Sequence, residues 1–143
     1  MRPAAAAMPM TPTLAPAVVH DLHTELTGRI LGAAIEVHRA LGPGLLAHAY
    51  DACFAHELAA RGLAFVRQQP LPIYYRGQRV DGALRPDLVV AGEVIVEHKA
   101  VDRLLPIHEA QLLTCLRLTR LRVGLLINFH APLLKHGVRR LQA

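Results

Sequence analysis

The sequence predicts an α/β or α+β domain with a mixed central β-sheet flanked by helices. Three observations carry this. Two stretches of helical apolar periodicity open the body of the chain, short β-prone segments of period two follow, and a helix and a buried-strand run come after them. The 143 residues are 52% hydrophobic and 19% charged, enough to bury one core and too few for a second full domain. The best candidate for a membrane span, Val123 to Phe129, is far shorter than the roughly 18 apolar residues required. No transmembrane helix is expected.

Residues 1–18, MRPAAAAMPMTPTLAPAV, are interrupted by Pro3, Pro9, Pro12 and Pro16 and carry no charge after Arg2. They read as a flexible Ala/Pro-rich tail ahead of one domain over residues 19–143. The longest proline-free stretch of this tail, Ala4 to Met8, is shorter than the roughly 7 to 15 residues of a secretion signal's apolar core. Cys53 and Cys115 have no metal-type spacing, so neither a zinc ribbon nor a disulfide scaffold is indicated. A cytoplasmic location is expected.

From Asp21, a possible cap, Leu22, Leu26, Ile30, Ala34, Val37 and Leu41 recur at helical spacing, and Leu41-Gly42-Pro43-Gly44 ends the segment. A second helix is expected from Leu45 to Arg61 on the stripe Leu46, Tyr50, Cys53, Phe54 and Leu58, with Gly62 as its left-handed terminator. Ala64 to Gln69 and Leu71 to Tyr75 are β-prone, Arg76-Gly77-Gln78 is a turn, and Arg79 to Leu84 is expected to continue the sheet. Arg85 to Val90 and Val94 to Lys99, joined by Ala91-Gly92-Glu93, read as a hairpin. Pro106 is a natural first helical residue for a helix through Thr119, and Leu121 to Phe129 has the length of a buried strand.

Charge suggests a partner. The chain carries a formal +5, and none of its eleven acids lies beyond Glu109, so the last 34 residues hold only positive charge. A polyanion such as DNA or RNA would be attracted to such a surface. Fourteen of the sixteen basic residues are Arg and they are scattered, so a simply solvated basic surface fits the composition equally well.

The hairpin holds most of the chemical information. A turn centred on Gly92 pairs Val90 with Val94, Leu88 with Val96 and Asp87 with Glu97, which sets two carboxylates on one face. Opposed residues have Cβ atoms roughly 4.5 to 5.5 Å apart, so the two anions repel unless a cation lies between them. Oxygen ligands favour Mg²⁺ or Mn²⁺. Lys99, two residues after Glu97, returns to the same face, where an ammonium can orient a water or stabilise a phosphate. His98 points the other way. A structural ion-pair cluster is the competing account of these residues.

Beyond these residues, GAAIEVHRALGPGLL (32–46), LPIYYRG (71–77), RPDLVV (85–90), VIVEHKAV (94–101), HEAQLLTCL (108–116) and GLLINFHAPLLKHGVRR (124–140) resemble a family of small bacterial proteins. The family is named for a Gly-x-x-Glu-x-x-Tyr (GxxExxY) motif and is placed in the PD-(D/E)XK nuclease-like superfamily. The resemblance implies a PD-(D/E)XK nuclease-like core and a metal-dependent phosphodiesterase activity on nucleic acid. Asp87 and Glu97 would bind Mg²⁺, Lys99 would assist the attacking water, and Gln111 would reach the edge of the site. Two positions depart from the pattern: Ala47 stands where the motif has glutamate, and Cys115 where the family tends to have tyrosine. A carboxylate that can complete the site in related nucleases is therefore absent.

Other candidates are weaker. His20 and His23 sit at a helix start without a third ligand, His108 and Glu109 occupy a first helical turn, and Glu36 reads as a surface acid. Of Tyr74 and Tyr75, one can face a groove and stack on bases, while the other is expected to pack on the core. Besides the nuclease reading, the sequence admits a degenerate nuclease fold that binds nucleic acid or protein without cutting, and a purely structural module. Monomer and dimer are both compatible with it.

Overall fold

The computed structural model describes residues 23–143. The tail, Asp21 and Leu22, named above as tail, cap and first stripe residue, lie outside the described residues. In chain order the elements are α1 (Thr24–Leu41), α2 (Ala47–Ala60), β1 (Phe65–Arg67), β2 (Leu71–Tyr75), β3 (Gln78–Leu84), β4 (Leu88–Val90), β5 (Val94–Lys99), α3 (Pro106–Thr119), β6 (Val123–Asn128) and β7 (Val138–Gln142). A short 3₁₀ turn, Leu134–Gly137, leads into β7. No helix among the described residues is long and apolar enough to cross a membrane.

Five strands form a mixed sheet in the order β1-β4-β5-β6-β7, in which only β5 and β6 run parallel. Parallel neighbours need a crossover, and α3 supplies it. The sheet is apolar on both faces and is covered on both. On one face Leu88, Val90, Val94 and Val96 pack with Ile30, Ala34 and Val37 of α1 and Tyr50, Phe54 and Leu58 of α2. On the other, Val89, Ile95 and Leu126 pack against Leu112, Cys115 and Leu116 of α3. Helix α3 lies so close to β6 that a Cβ at Gly124 would come within 2.9 Å of Leu112 Cδ1.

The helical stripes hold with two corrections. Leu41 is half out of the core, and Leu46, expected within the second stripe, precedes α2 and is 72% exposed. Gly42 and Gly44 both take left-handed φ, which breaks the chain between the helices before residue 46 can join the helical repeat. At the far end of α2, Gly62 has φ +74° and its N–H donates to Ala59 O, while Leu63 N–H donates to Leu58 O.

The segment Arg79 to Leu84 does not continue the main sheet. With Leu71–Tyr75 it forms a separate two-stranded ribbon, closed at Arg76-Gly77, where both residues have positive φ. The reason lies in composition. From Gln78 to Ala83 every residue is exposed, so β3 has no apolar face to bury, and only Leu71 and Leu84 at the ribbon's base join the α3-side core. The sequence pattern does not predict strand β7. Its Arg139 and Arg140 mask the alternation, and its position on the sheet edge tolerates them.

Candidate active site on the β4–β5 hairpin

The β4–β5 pairing has the register expected from the turn, Leu88 with Val96 and Val90 with Val94. Continued one step further, it sets Asp87 beside Glu97, and the Asp87 backbone N–H donates to Glu97 Oε2 at 2.9 Å. Side chains alternate across a strand, so Glu97 and Lys99 share the α3 face with Ile95. His98 turns to the opposite face, where its ring lies edge-on to Phe54 and Phe129.

Both Asp87 carboxylate oxygens are held. Oδ1 accepts from Gln68 Nε2 at 2.8 Å and Oδ2 from the His98 backbone N–H at 3.0 Å. Gln68 also donates its backbone N–H to Asp87 O, and it does so with a left-handed φ of 52°. A non-glycine residue in that region costs about 1 to 2 kcal/mol, so local structure works against this conformation and the clamp on Asp87 is one gain that offsets it.

Glu97 lies at a cleft of about 390 Å³ between the base of the ribbon and α3, lined by Leu84, Arg85, Gln111, Thr114 and Cys115 among others. Burial, and then the charge of Asp87, push the Glu97 carboxyl up to about 7, against the opposing pull of the Asp87 N–H and Lys99. Burial and the Glu97 charge likewise push the Cys115 thiol up to about 11. Lys99 is half-buried, and its ammonium makes no hydrogen bond or close ion pair among the described residues. Gln111, exposed on α3, borders the same cleft as Glu97.

Two carboxylates that raise each other's energy, with oxygen donors only and a cation alongside, suit a hard divalent ion. Among the described residues no three His, Cys, Asp or Glu side chains form a metal-binding group. Asp87 and Glu97 would thus be joined by water or backbone oxygens. Ala47 is exposed in the first turn of α2, which packs on the sheet face opposite Glu97.

Sequence reasoning missed Gln68, Asp51 and Arg67. Asp51, one helical turn beyond Ala47, binds His98 Nε2 through Oδ1 at 2.8 Å and Arg67 through Oδ2. Burial raises the Asp51 carboxyl, but the hydrogen bonds from Arg67 and His98 outweigh it and leave the group below its ordinary range. The result ties α2, β1, β4 and β5 into one network ending on Asp87. None of these residues lies in a spacing motif; the apolar surroundings of His98 were the only available signal. Tyr50 is structural. Its hydroxyl donates to Gly42 O at 2.6 Å and accepts from Leu45 N–H at 3.1 Å, and its ring stacks on Phe129 with centroids 4.9 Å apart.

A mixed sheet covered on both faces, with Asp ending one strand of a hairpin and Glu-x-Lys ending the other, defines a nuclease-like α+β core. The family profile described as the PD-(D/E)XK nuclease superfamily matches residues 24–141, and the chain belongs to that superfamily. No curated protein and no solved structure matches it. Nucleases of this superfamily generally use divalent metals such as Mg²⁺ or Mn²⁺.

Proposed function

We propose that this chain, a GxxExxY-type member of the superfamily, is a metal-dependent phosphodiesterase that hydrolyses nucleic acid in the cytoplasm. The observation that carries the reading is the Asp87–Glu97 pair, with Glu97 pushed up to about 7 beside an open cleft. Asp87 and Glu97 would hold Mg²⁺ or Mn²⁺. When bound, the ion offsets their repulsion and supplies Lewis acidity toward a phosphoryl oxygen. The chain's own groups do the rest. Lys99 offers its ammonium to a non-bridging phosphate oxygen or to the attacking water, opposing charge that develops in the transition state. Gln111 presents an amide at the cleft rim that can orient the scissile phosphate. Gln68 and the His98 N–H hold Asp87 in one rotamer, so no reorganisation is needed when substrate arrives.

The test is cleavage of labelled DNA and RNA by purified protein in Mg²⁺ or Mn²⁺. Turnover that vanishes in EDTA and in Lys99→Ala supports the reading; absence of turnover with both ions on both polymers refutes it. The lack of a third acidic side chain beside Asp87 and Glu97 among the described residues favours a second reading, in which the fold binds nucleic acid without cutting. That version expects affinity that survives Asp87→Ala and no turnover with any divalent ion.

A further inference from the structure

The β2–β3 ribbon carries groups that neither the core nor the carboxylate site uses. Tyr74 and Tyr75 are 63% and 64% exposed, so neither packs on the core, contrary to the expectation for one of them. The cause is the ribbon's separation from the main sheet: both of its faces meet solvent along this stretch. As consecutive strand residues the two tyrosines put a ring on each face.

Each ring has a guanidinium beside it. Arg76 Cζ lies 5.5 Å from the Tyr75 ring centroid, and Arg79, the cross-strand partner of Tyr74, donates to its hydroxyl at 3.4 Å. Asp81, paired with Arg79, is the only acid in the ribbon, so Arg76 leaves it cationic. Tyr74 also borders a groove of about 590 Å³ between the ribbon and the C-terminal end of α3, which includes Gln69, Leu71, Leu118 and Arg120. Leu71 lines this groove, while its cross-strand partner Leu84 lines the cleft at Glu97. The ribbon and α3 thus wall two openings, one lined by Leu71 and the other by its partner Leu84.

Exposed aromatic rings flanked by cations form a platform for stacking and phosphate contact. In a duplex the base faces are already covered by neighbouring bases, so such rings select unpaired bases. We propose that the ribbon and its groove bind an unpaired nucleic-acid strand and direct its backbone toward the cleft at Glu97. This rests on the reading that the site acts on nucleic acid and assigns the substrate class: single-stranded polymer rather than duplex.

Binding is measured in EDTA, apart from chemistry, by fluorescence anisotropy of labelled oligonucleotides: single strands and duplexes of equal length, in DNA and RNA arms. Wild type is expected to prefer the single strand in at least one arm, and Tyr74→Ala and Tyr75→Ala to weaken it by roughly 5- to 150-fold each, the range for one stacked base. Arg76→Gln should weaken binding to every sequence and lower the salt slope by about 0.7, the value for one phosphate contact on a single strand. Far-UV circular dichroism should be unchanged in all three, because the side chains are exposed. Equal affinity for duplex and single strand overturns the proposal. So does wild-type affinity in both tyrosine variants, which would turn the ribbon into a protein-docking surface. A wild type that binds single strands but never cleaves refutes the phosphodiesterase reading alone. One that cleaves with ribbon variants unaffected refutes the ribbon alone.

Discussion

Replacing Glu97 with glutamine tests the electrostatics of the site without needing a substrate. The carboxyl titrates near 4.5 in the unfolded chain and at about 7 in the folded one. Between those values the folded protein keeps a proton that the unfolded chain has lost. Stability therefore falls as pH rises through this window and levels off above it. At 1.36 kcal/mol per pH unit the whole window amounts to about 3 kcal/mol. Glu97→Gln removes the charge and keeps an oxygen to accept the Asp87 N–H. The variant should match wild type near pH 4.5 and exceed it by about 3 kcal/mol at pH 8, a rise in urea midpoint of roughly 1 to 3 M. The assay is urea unfolding followed by circular dichroism in EDTA across pH 4.5 to 8. Subtracting the two proteins cancels the titration of the histidines, which both contain. Adding Mn²⁺ at pH 8 should then stabilise wild type, by about 2.7 kcal/mol at a hundred times the dissociation constant, and leave the variant unmoved. A difference between the proteins that is flat with pH would refute the buried, repelled carboxylate on which the site is built.

Four other substitutions probe the supports of the site and of the fold. Gln68→Ala should cost about 1 kcal/mol of stability through the lost hydrogen bond to Asp87, and calorimetry should show weaker Mn²⁺ binding. Gln68→Gly should weaken metal binding equally but recover about 1 kcal/mol in urea unfolding, because glycine accepts the left-handed φ. Tyr50→Phe should lower stability by about 1 to 3 kcal/mol, since it leaves Gly42 O and Leu45 N–H without the hydroxyl they share. Gly124→Ala should destabilise by about 1 to 3 kcal/mol as its Cβ drives into Leu112; thermal unfolding checks both.

Much of this protein can be read from local rules. The periodicity of Ile30, Ala34 and Val37, the terminator Gly62, the first-turn Pro106 and the apolar hairpin around Gly92 each respond to forces acting within a few residues. The helices and the hairpin register accordingly stand where the chain alone predicts them. The placement of Asp87 beside Glu97 follows from that register. Other features depend on partners distant in sequence. Whether Arg79–Leu84 joined the sheet was decided by competition for edges: β1 and β5 take both sides of β4, and the polar β3 has no buried face to offer. The exposure of Tyr74 and Tyr75 follows from that outcome. Likewise Gln68, Asp51 and Arg67 acquire meaning only when β1 and α2 fold against β4 and β5, with partners 16 to 47 residues away along the chain in the bonds they form. Short-range patterning therefore determines which segments form and which way their side chains alternate. Burial of a carboxylate, and the selection of the groups that hold its neighbour, arise only when the whole sheet closes, because desolvation and long-range hydrogen bonds belong to the packed structure.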